Sequence, residues 1–290
     1  MSSVFLVLAH RDPDQLARLL GELVGSSRRV YVHVDARVDL APFRAAIRSD
    51  GVRWAGVHWV RDRRVVRWGG LSVVDAILAS IAQARGDGPV HRYTLLSGSC
   101  FPVRPVEEIG ELPADVEHLR IDRTIDPAGG VQAEKLNRRW FNDSRLLRRW
   151  GGRLPAQWPR GLPPVKQGSA WWSLTAGCVH HVLTVLDDRP ELRTAFRQTH
   201  CPDELVLPTI IAASPYADRI ERRQRYDLTQ DEDAGDQDPR HGLHYINWSP
   251  DGWSPAWLTA ADLPAIRASG AHFARKIDSV RSADLLAQLP

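Results

Sequence analysis

The chain of 290 residues is poor in cysteine and lysine and has a single methionine. Three cysteines, Cys100, Cys178 and Cys201, are an odd number at wide spacings. They form neither a disulfide framework nor a CxxC knuckle for a metal. Of 38 basic residues only Lys135, Lys166 and Lys276 are lysines, and the rest are arginines. Together with abundant alanine, that usage points to a GC-rich bacterial genome. No run of about 18 apolar residues occurs, which excludes a spanning helix. The apolar stretch 4–9 (VFLVLA) is too short for a signal core and has no basic segment before it, so a cytoplasmic protein is expected. Charge of one sign is also lacking. With 38 basic against 35 acidic residues, the net charge is +3, which excludes a polycation built to coat nucleic acid. The phosphate-binding fingerprints are missing too. His10-Arg11-Asp12-Pro13 stands where GxGxxG would follow the first strand, and there is no GxxxxGK[ST]. A dinucleotide cofactor and a P-loop are therefore not expected.

What is present is ordinary globular material, 43% hydrophobic, with 11 tryptophans whose faces suit both a core and the stacking of sugar rings. Residues 4–9 read as a strand buried on both faces. Asp12 stands at an N-cap and Pro13 at the first helical position, with Leu16, Leu19, Leu20 and Leu23 on one helical face. Gly25-Ser26-Ser27 ends that helix. Strands follow at 30–34, 57–60 and 92–96, and helices at 42–49 and 71–84. The alternation predicts a βαβ sheet of Rossmann type.

Later segments predict a strand at 116–121, a very basic helix over 137–150, a Gly/Pro/Trp loop over 151–164 and a strand at 171–174. Helices are expected at 175–186, 203–213, 259–268 and 279–288, with a strand near 243–246. Residues 230–242 are acidic and nearly free of apolar side chains, which reads as a mobile loop. No repeat and no long linker divides the chain, so one compact α/β domain is expected. Its nucleotide-binding half lies at about 1–110 and its acceptor half at about 111–290.

Open α/β sheets bind ligands at the carboxyl ends of their strands. Asp35, after His33-Val34, lies at such an end, as do Ser97, Gly98, Ser99 and Cys100. Asp35 can accept a hydrogen bond from a base N–H or bind ribose hydroxyls; equally, it can be a turn aspartate beside a half-buried histidine. Arg67-Trp68-Gly69-Gly70 precedes a helix whose N-terminus can face a ligand. It is also what a turn with one packed aromatic looks like. Asp203 and Glu204 of Cys201-Pro202-Asp203-Glu204 open another helix, a placement that suits the macrodipole without catalysis. Facing a cleft, Glu204 is the best general-base candidate in the chain. His241 and His244 lie near Asp231, Asp233, Asp236 and Asp238, but solvated loop chemistry explains that cluster better than a metal.

Eight segments then occur in a fixed order: LAHRDP (8–13), YVHVD (31–35), VRWGGLS (66–72), YTLLSGSCFPV (93–103), GSAWWSL (168–174), CPDE (201–204), YINWS (245–249) and HFARKID (272–278). In that order they resemble glycosyltransferase family 14, which holds the core-2/I-branching β-1,6-N-acetylglucosaminyltransferases and the peptide O-xylosyltransferases. The resemblance covers about residues 4 to 278. It implies a GT-A-like fold and an inverting transfer of an N-acetylglucosamine-, xylose- or glucose-type sugar from a UDP-sugar, without metal. By position, it implies that Asp35 reads the uracil, with His10, His33, Arg67, Trp68 and Gly69 on the nucleotide side. Glu204 is the implied catalytic base, and Arg275, Lys276 and His244 flank the diphosphate. Ser97 to Cys100, Ser169, Trp171, Trp172 and Asp203 are expected around donor sugar and acceptor. No DxD follows the strand at 92–96, which fits the use of basic side chains in place of a metal.

Two positions depart from the resemblance. Cys100 stands where an acidic residue is usual, and a thiol accepts a sugar hydroxyl's hydrogen bond only weakly. His244 stands where relatives often carry arginine and is only partly charged at pH 7 by its ordinary titration. The expected acceptors are a polysaccharide, a lipid-linked glycan or a secondary metabolite. Two other readings compete: a sugar-nucleotide-binding protein without turnover, and a glycoside hydrolase. The second needs a facing carboxylate pair, which adjacent Asp203 and Glu204 on a helix do not make.

Overall fold

The computed structural model describes residues 3–24, 28–48, 54–228, 238–248 and 254–289. Strand β1 (Ser3–Ala9) is apolar almost throughout because it lies at the centre of the main sheet. It pairs in parallel with β2 (Arg29–Val34) on one side and with β4 (Arg92–Ser97) on the other. β3 (Val57–Trp59) extends the sheet beyond β2 in parallel, and β8 (Ser173–Thr175) closes the β4 edge antiparallel. The order is β3-β2-β1-β4-β8.

Alternate residues of β1 feed two cores, as a strand's period of two requires. Val4 and Leu6 join Val74 and Ile77 of α3 (Ser72–Gly86) on one face. Phe5, Val7 and Ala9 join α1 (Pro13–Val24) and α2 (Ala41–Arg48) on the other. Helix α1 starts as its sequence predicts: Asp12 Oδ1 accepts from the Gln15 N–H at 3.1 Å, and Leu16, Leu19, Leu20 and Leu23 are fully buried. Its predicted stop at 25–27 lies outside the described residues. The result is the expected α/β class in one domain, a mixed sheet flanked by helices.

A second sheet is assembled from distant pieces, in the order β5 (Phe101–Pro102), β11 (Phe273–Arg275), β10 (His244–Ile246) and β9 (Arg240–His241). β6 (Ile121–Thr124) and β7 (Lys166–Gly168) form a two-stranded ribbon. Behind them stand α5 (Ala176–Asp188), α6 (Pro190–Phe196) and α7 (Val206–Ala212).

Several expectations are corrected. The basic helix over 137–150 is not formed. Helix α4 (Glu134–Asn137) stops where that helix was to begin, and only a 3-10 turn, Arg148–Trp150, follows. The segment has no apolar face to bury, since Leu146, Leu147 and Trp150 are all exposed. Its backbone bonds instead to distant groups, Arg139 N–H to Leu154 O and Trp140 N–H to Gln198 O. The strand expected at 116–121 begins late, as β6, while Glu117 and His118 make single bridges to Ile220 and Ser173. The helix expected at 203 begins at Val206, after a 3-10 turn, Pro202–Glu204. The last helix is only Ala283–Leu286.

Of the acidic stretch 230–242, residues 230–237, with Asp231, Asp233 and Asp236, lie outside the described residues. Its end is a strand rather than a loop. Arg240 and His241 of β9 are buried, with Arg240 Nε donating to Gly242 O at 2.9 Å and its guanidinium paired to Glu221. Arg240 can line a buried strand because its guanidinium is satisfied in this way, whereas His241 Nε2 is buried without a hydrogen-bond partner.

The GSAWW segment contains the tightest backbone approach of the fold. A Cβ on Gly168 would stand 2.0 Å from the Arg120 carbonyl oxygen across the β6–β7 ribbon. Gly168→Ala must therefore separate the two strands. We expect it to cost about 1–3 kcal/mol, the usual range for overpacking, read as a lowered urea midpoint at unchanged slope. An unchanged midpoint would mean that the ribbon yields freely.

Candidate active site

The parallel strands β1, β2 and β4 deliver Ala9, Val34 and Ser97 to one edge, and the side chains that follow them converge there. Asp35 is buried, with both oxygens engaged by Arg37: Nη2 lies 2.7 Å from Oδ2, and the Arg37 N–H donates to Oδ1 at 2.9 Å. Burial alone would raise its pKa, but the bonds from Arg37 hold the carboxyl below the ordinary aspartate value. Arg63 fixes the strand end from beneath, donating to the carbonyls of Val34 at 2.9 Å and Asp35 at 2.8 Å. His10 is exposed beside this pair and feels the charges of Arg11, Asp35, Arg37 and Lys276. His33 differs from its expected role. It is 1% exposed, its Nε2 accepts the Arg64 N–H at 2.8 Å, and burial lowers its pKa. It shapes the turn behind the site and offers nothing to a ligand.

The second sheet places cations over this edge. β5 continues from the β4 turn and pairs antiparallel with β11, Phe101 opposite Ala274 and Pro102 opposite Phe273. Ile277 N–H then donates to Ser99 O at 2.8 Å. Arg275 emerges with its guanidinium 4.2 Å from the centre of the Trp171 ring, a cation–π contact, and beside the Cys100 sulfur. Burial lowers its pKa, but a guanidinium stays charged. Lys276 donates to Ser254 Oγ, and its Nζ sits 5.8 Å from the Trp257 ring, which Arg11 also covers at 4.6 Å. Burial, then Arg275 and Arg11, lower its pKa to about 8.

The carboxylates come from a third direction. Gly69 adopts φ +72, and its carbonyl accepts from Cys201 N–H at 3.0 Å and Asn142 Nδ2 at 2.6 Å. A Cβ there would press on the His200 ring at 3.0 Å, and one on Gly70 would meet the Asp143 carboxylate at 2.2 Å. The glycines are thus needed for close approach, and Arg67-Trp68-Gly69 positions the Cys201-Pro202-Asp203-Glu204 turn.

Lys135, 5% exposed, donates to Glu204 Oε2 at 2.7 Å. Burial works against its ammonium, yet Glu204, with Cys201 and Asp203, carries its pKa above the usual lysine value. Glu204 stays partly exposed, with its Oε2 held by Lys135. Asp203 has a buried Oδ1 without a hydrogen-bond partner and makes no capping bond. Burial first, then the Glu204 charge, push it up to about 7, while Lys135 and Arg275 oppose the shift. The same Asp203 charge acts on Arg275, which sets the carboxylate turn within electrostatic reach of the cationic strand.

Other predicted residues divide. Trp171 lies in the site on Arg275, whereas Trp172 is 1% exposed and belongs to the core. Ser169 Oγ accepts the Trp171 N–H at 3.1 Å. Cys100 is fully buried, its sulfur accepting from the Ser97 N–H at 3.3 Å. Gly98 packs under Ala9, and Ser99 N–H donates to Ser97 Oγ. His244 is fully buried between Trp171 and Phe273, and burial, aided by Arg275 and His272, lowers its pKa to about 3. It is neutral at pH 7 and brings no charge to a diphosphate, contrary to expectation. Sequence reasoning missed Lys135, Arg37, Asn142 and His200. Only the scarcity of lysine could have drawn attention to the first.

Among the described residues no group of three or more histidine, cysteine, aspartate or glutamate side chains is arranged to hold a metal, and no helix is long and apolar enough to cross a membrane. The sequence model of the core-2/I-branching enzymes matches residues 4–277. The chain belongs to that family. As a core-2/I-branching family member it is a glycosyltransferase, acting between a sugar donor and an acceptor. No curated relative matches it in sequence. A crystal structure of mouse xyloside xylosyltransferase 1 in the apo form is similar at 15% identity and a TM-score of 0.37, over 76% of this chain and 84% of that one.

The Asp203 environment gives a stability prediction with a definite sign. A carboxyl whose folded pKa is raised from 3.8 to about 7 contributes stability below the lower value and loses it as pH rises through the upper one. Asp203→Asn carries no such penalty. Its melting temperature should match the wild type near pH 4 and exceed it above pH 7. A variant less stable than wild type at pH 8 would show that the ionised form is welcome in the fold.

Proposed function

We propose that this chain is a metal-independent, inverting glycosyltransferase of GT-A type that uses a UDP-sugar. The observation that carries the proposal is the partly exposed Glu204 carboxylate, held through Oε2 by Lys135 and next in the chain to Asp203, whose charge acts on Arg275 of the cationic strand. Glu204 takes the proton of an acceptor hydroxyl, whose oxygen attacks the anomeric carbon as the bond to UDP breaks on the opposite face. Lys276 and Arg275 meet the charge that develops on the departing diphosphate. Trp171, fixed by Arg275, offers its ring to the transferred sugar, and Ser97 and Ser99 line the turn beneath it. Asp35 stands on the base side as a pair with Arg37, whose backbone N–H and guanidinium make four hydrogen bonds to its two oxygens. The metal-independent reading rests on the sequence, where no DxD follows β4 and two adjacent cations stand at 275 and 276.

A base acts in the transition state, whereas the nucleotide holds the donor. Glu204→Gln should lower kcat by roughly 10²–10⁴-fold with UDP affinity nearly unchanged, measured by UDP release and by calorimetry. Lys276→Ala should weaken both. If Glu204→Gln turns over normally while Asp203→Asn does not, the base is the other carboxylate. Turnover should also survive EDTA; loss on chelation, restored by Mn²⁺ or Mg²⁺, would overturn the metal-independent reading.

Lys276 adds a pH signature. Its ammonium, titrating at about 8, is present below that value and lost above it. UDP affinity should therefore fall as pH rises past 8 in the wild type, and stay level in Lys276→Arg. A wild-type affinity independent of pH between 7 and 9.5 would remove Lys276 from the diphosphate site.

A further inference from the structure

The loop that replaces the predicted basic helix has a composition the transfer chemistry does not use. Six consecutive residues, Arg145, Leu146, Leu147, Arg148, Arg149 and Trp150, are all exposed. Leu146 is 78% exposed, Leu147 49% and Trp150 45%. The loop is ordered by its own backbone. Leu147 N–H donates to Ser144 Oγ at 3.1 Å, Trp150 N–H to Leu147 O at 2.8 Å, and Gly152 N–H to Arg139 O at 2.9 Å. With those bonds internal, the side chains are left to face outward. Among the described residues no carboxylate pairs with Arg145, Arg148 or Arg149, and Arg138, Arg139 and Arg153 are exposed on the same loop.

Three large apolar side chains in water are a standing cost unless something covers them. Their alternation with unpaired arginines selects a partner that is apolar within and anionic at its surface. We propose that this loop docks the protein on an anionic phospholipid bilayer, with Leu146, Leu147 and Trp150 entering the interface and the arginines held by headgroup phosphates. A soluble polyanion satisfies the arginines but leaves the leucines in water. The loop also adjoins the candidate site. It begins three residues after Lys135, and its Trp140 packs on His200 at 4.3 Å, beside the Glu204 turn. Docking there brings the Glu204 turn close to the bilayer and favours a glycan carried on a lipid as acceptor; that consequence, unlike the docking, rests on the transferase reading.

Sedimentation of the full chain with vesicles tests the docking without nucleotide or acceptor. Phosphatidylcholine vesicles carrying phosphatidylglycerol should pull the protein down, phosphatidylcholine alone should not, and added salt should release it. Arg145→Ser/Arg148→Ser/Arg149→Ser should weaken partitioning by about 100-fold. Leu146→Ser/Leu147→Ser, with the charge intact, should weaken it by about 10-fold or more. Both variants alter exposed side chains and should melt as the wild type does. Glu204→Gln should sediment normally, so failure of the docking and failure of the transferase reading are separable. No sedimentation, or equal sedimentation with neutral vesicles, overturns the proposal. So does unchanged binding by the leucine variant together with retention on heparin, which would mark the arginines as a site for a soluble polyanion.

Discussion

Everything at the candidate site depends on one short strand pairing, β5 with β11. Two residues after the β4 turn, Phe101 and Pro102, receive Ala274 and Phe273 from the far end of the chain. That contact is what brings Arg275 and Lys276 to the carboxyl ends of the parallel strands, adding to the charge of Arg37 and Arg63 already there. The loop closed by the pairing is long, but closure entropy grows only with the logarithm of length. Burial of Phe273 against Phe5, and of the Leu258, Ile266 and Ile277 cluster behind β11, offsets it.

The electrostatics follow from how each charge is or is not matched. Glu204 is answered by Lys135 and Asp35 by Arg37, so both carboxylates keep defined orientations. Arg275 and Lys276 face aromatic rings and a hydroxyl instead of acids. A cation resting on an aromatic face is retained without being neutralised, which leaves it available to an incoming anion. Asp203 is the exception, a carboxyl whose burial favours its neutral form.

Much of this was legible in the sequence, for physical reasons that can be named. Continuous apolar runs at 4–9 and 30–34 have no other use than buried parallel strands, and Asp12-Pro13 can hardly be anything but a helix start. Glu204 and Lys276 stood out through motif and rarity. The Gly69-Gly70 pair was legible only as a turn or as the approach to a helix start that can face a ligand, and its use for close packing was not. Here they admit His200 and Asp143 at distances no Cβ allows. The 137–150 segment was misread because charge density resembles a helix surface, while the missing apolar stripe was the better signal. Lys135 could not be assigned, since nothing local to AEKLN names a partner brought close only by the tertiary fold. His244 shows the converse: a residue's ordinary titration says little once an interior has enclosed it.

The scarcity of lysine has a practical consequence once the pairings are known. Lys135 is bound to Glu204 and Lys166 to Asp227, each at 2.7 Å. Lys276 alone among the three meets a hydroxyl rather than a carboxylate, and its lowered pKa leaves more free amine near neutrality. An acylating reagent used sparingly would therefore mark one lysine side chain before the others. The protein carries a built-in attachment point for a reporter group on its own cationic strand.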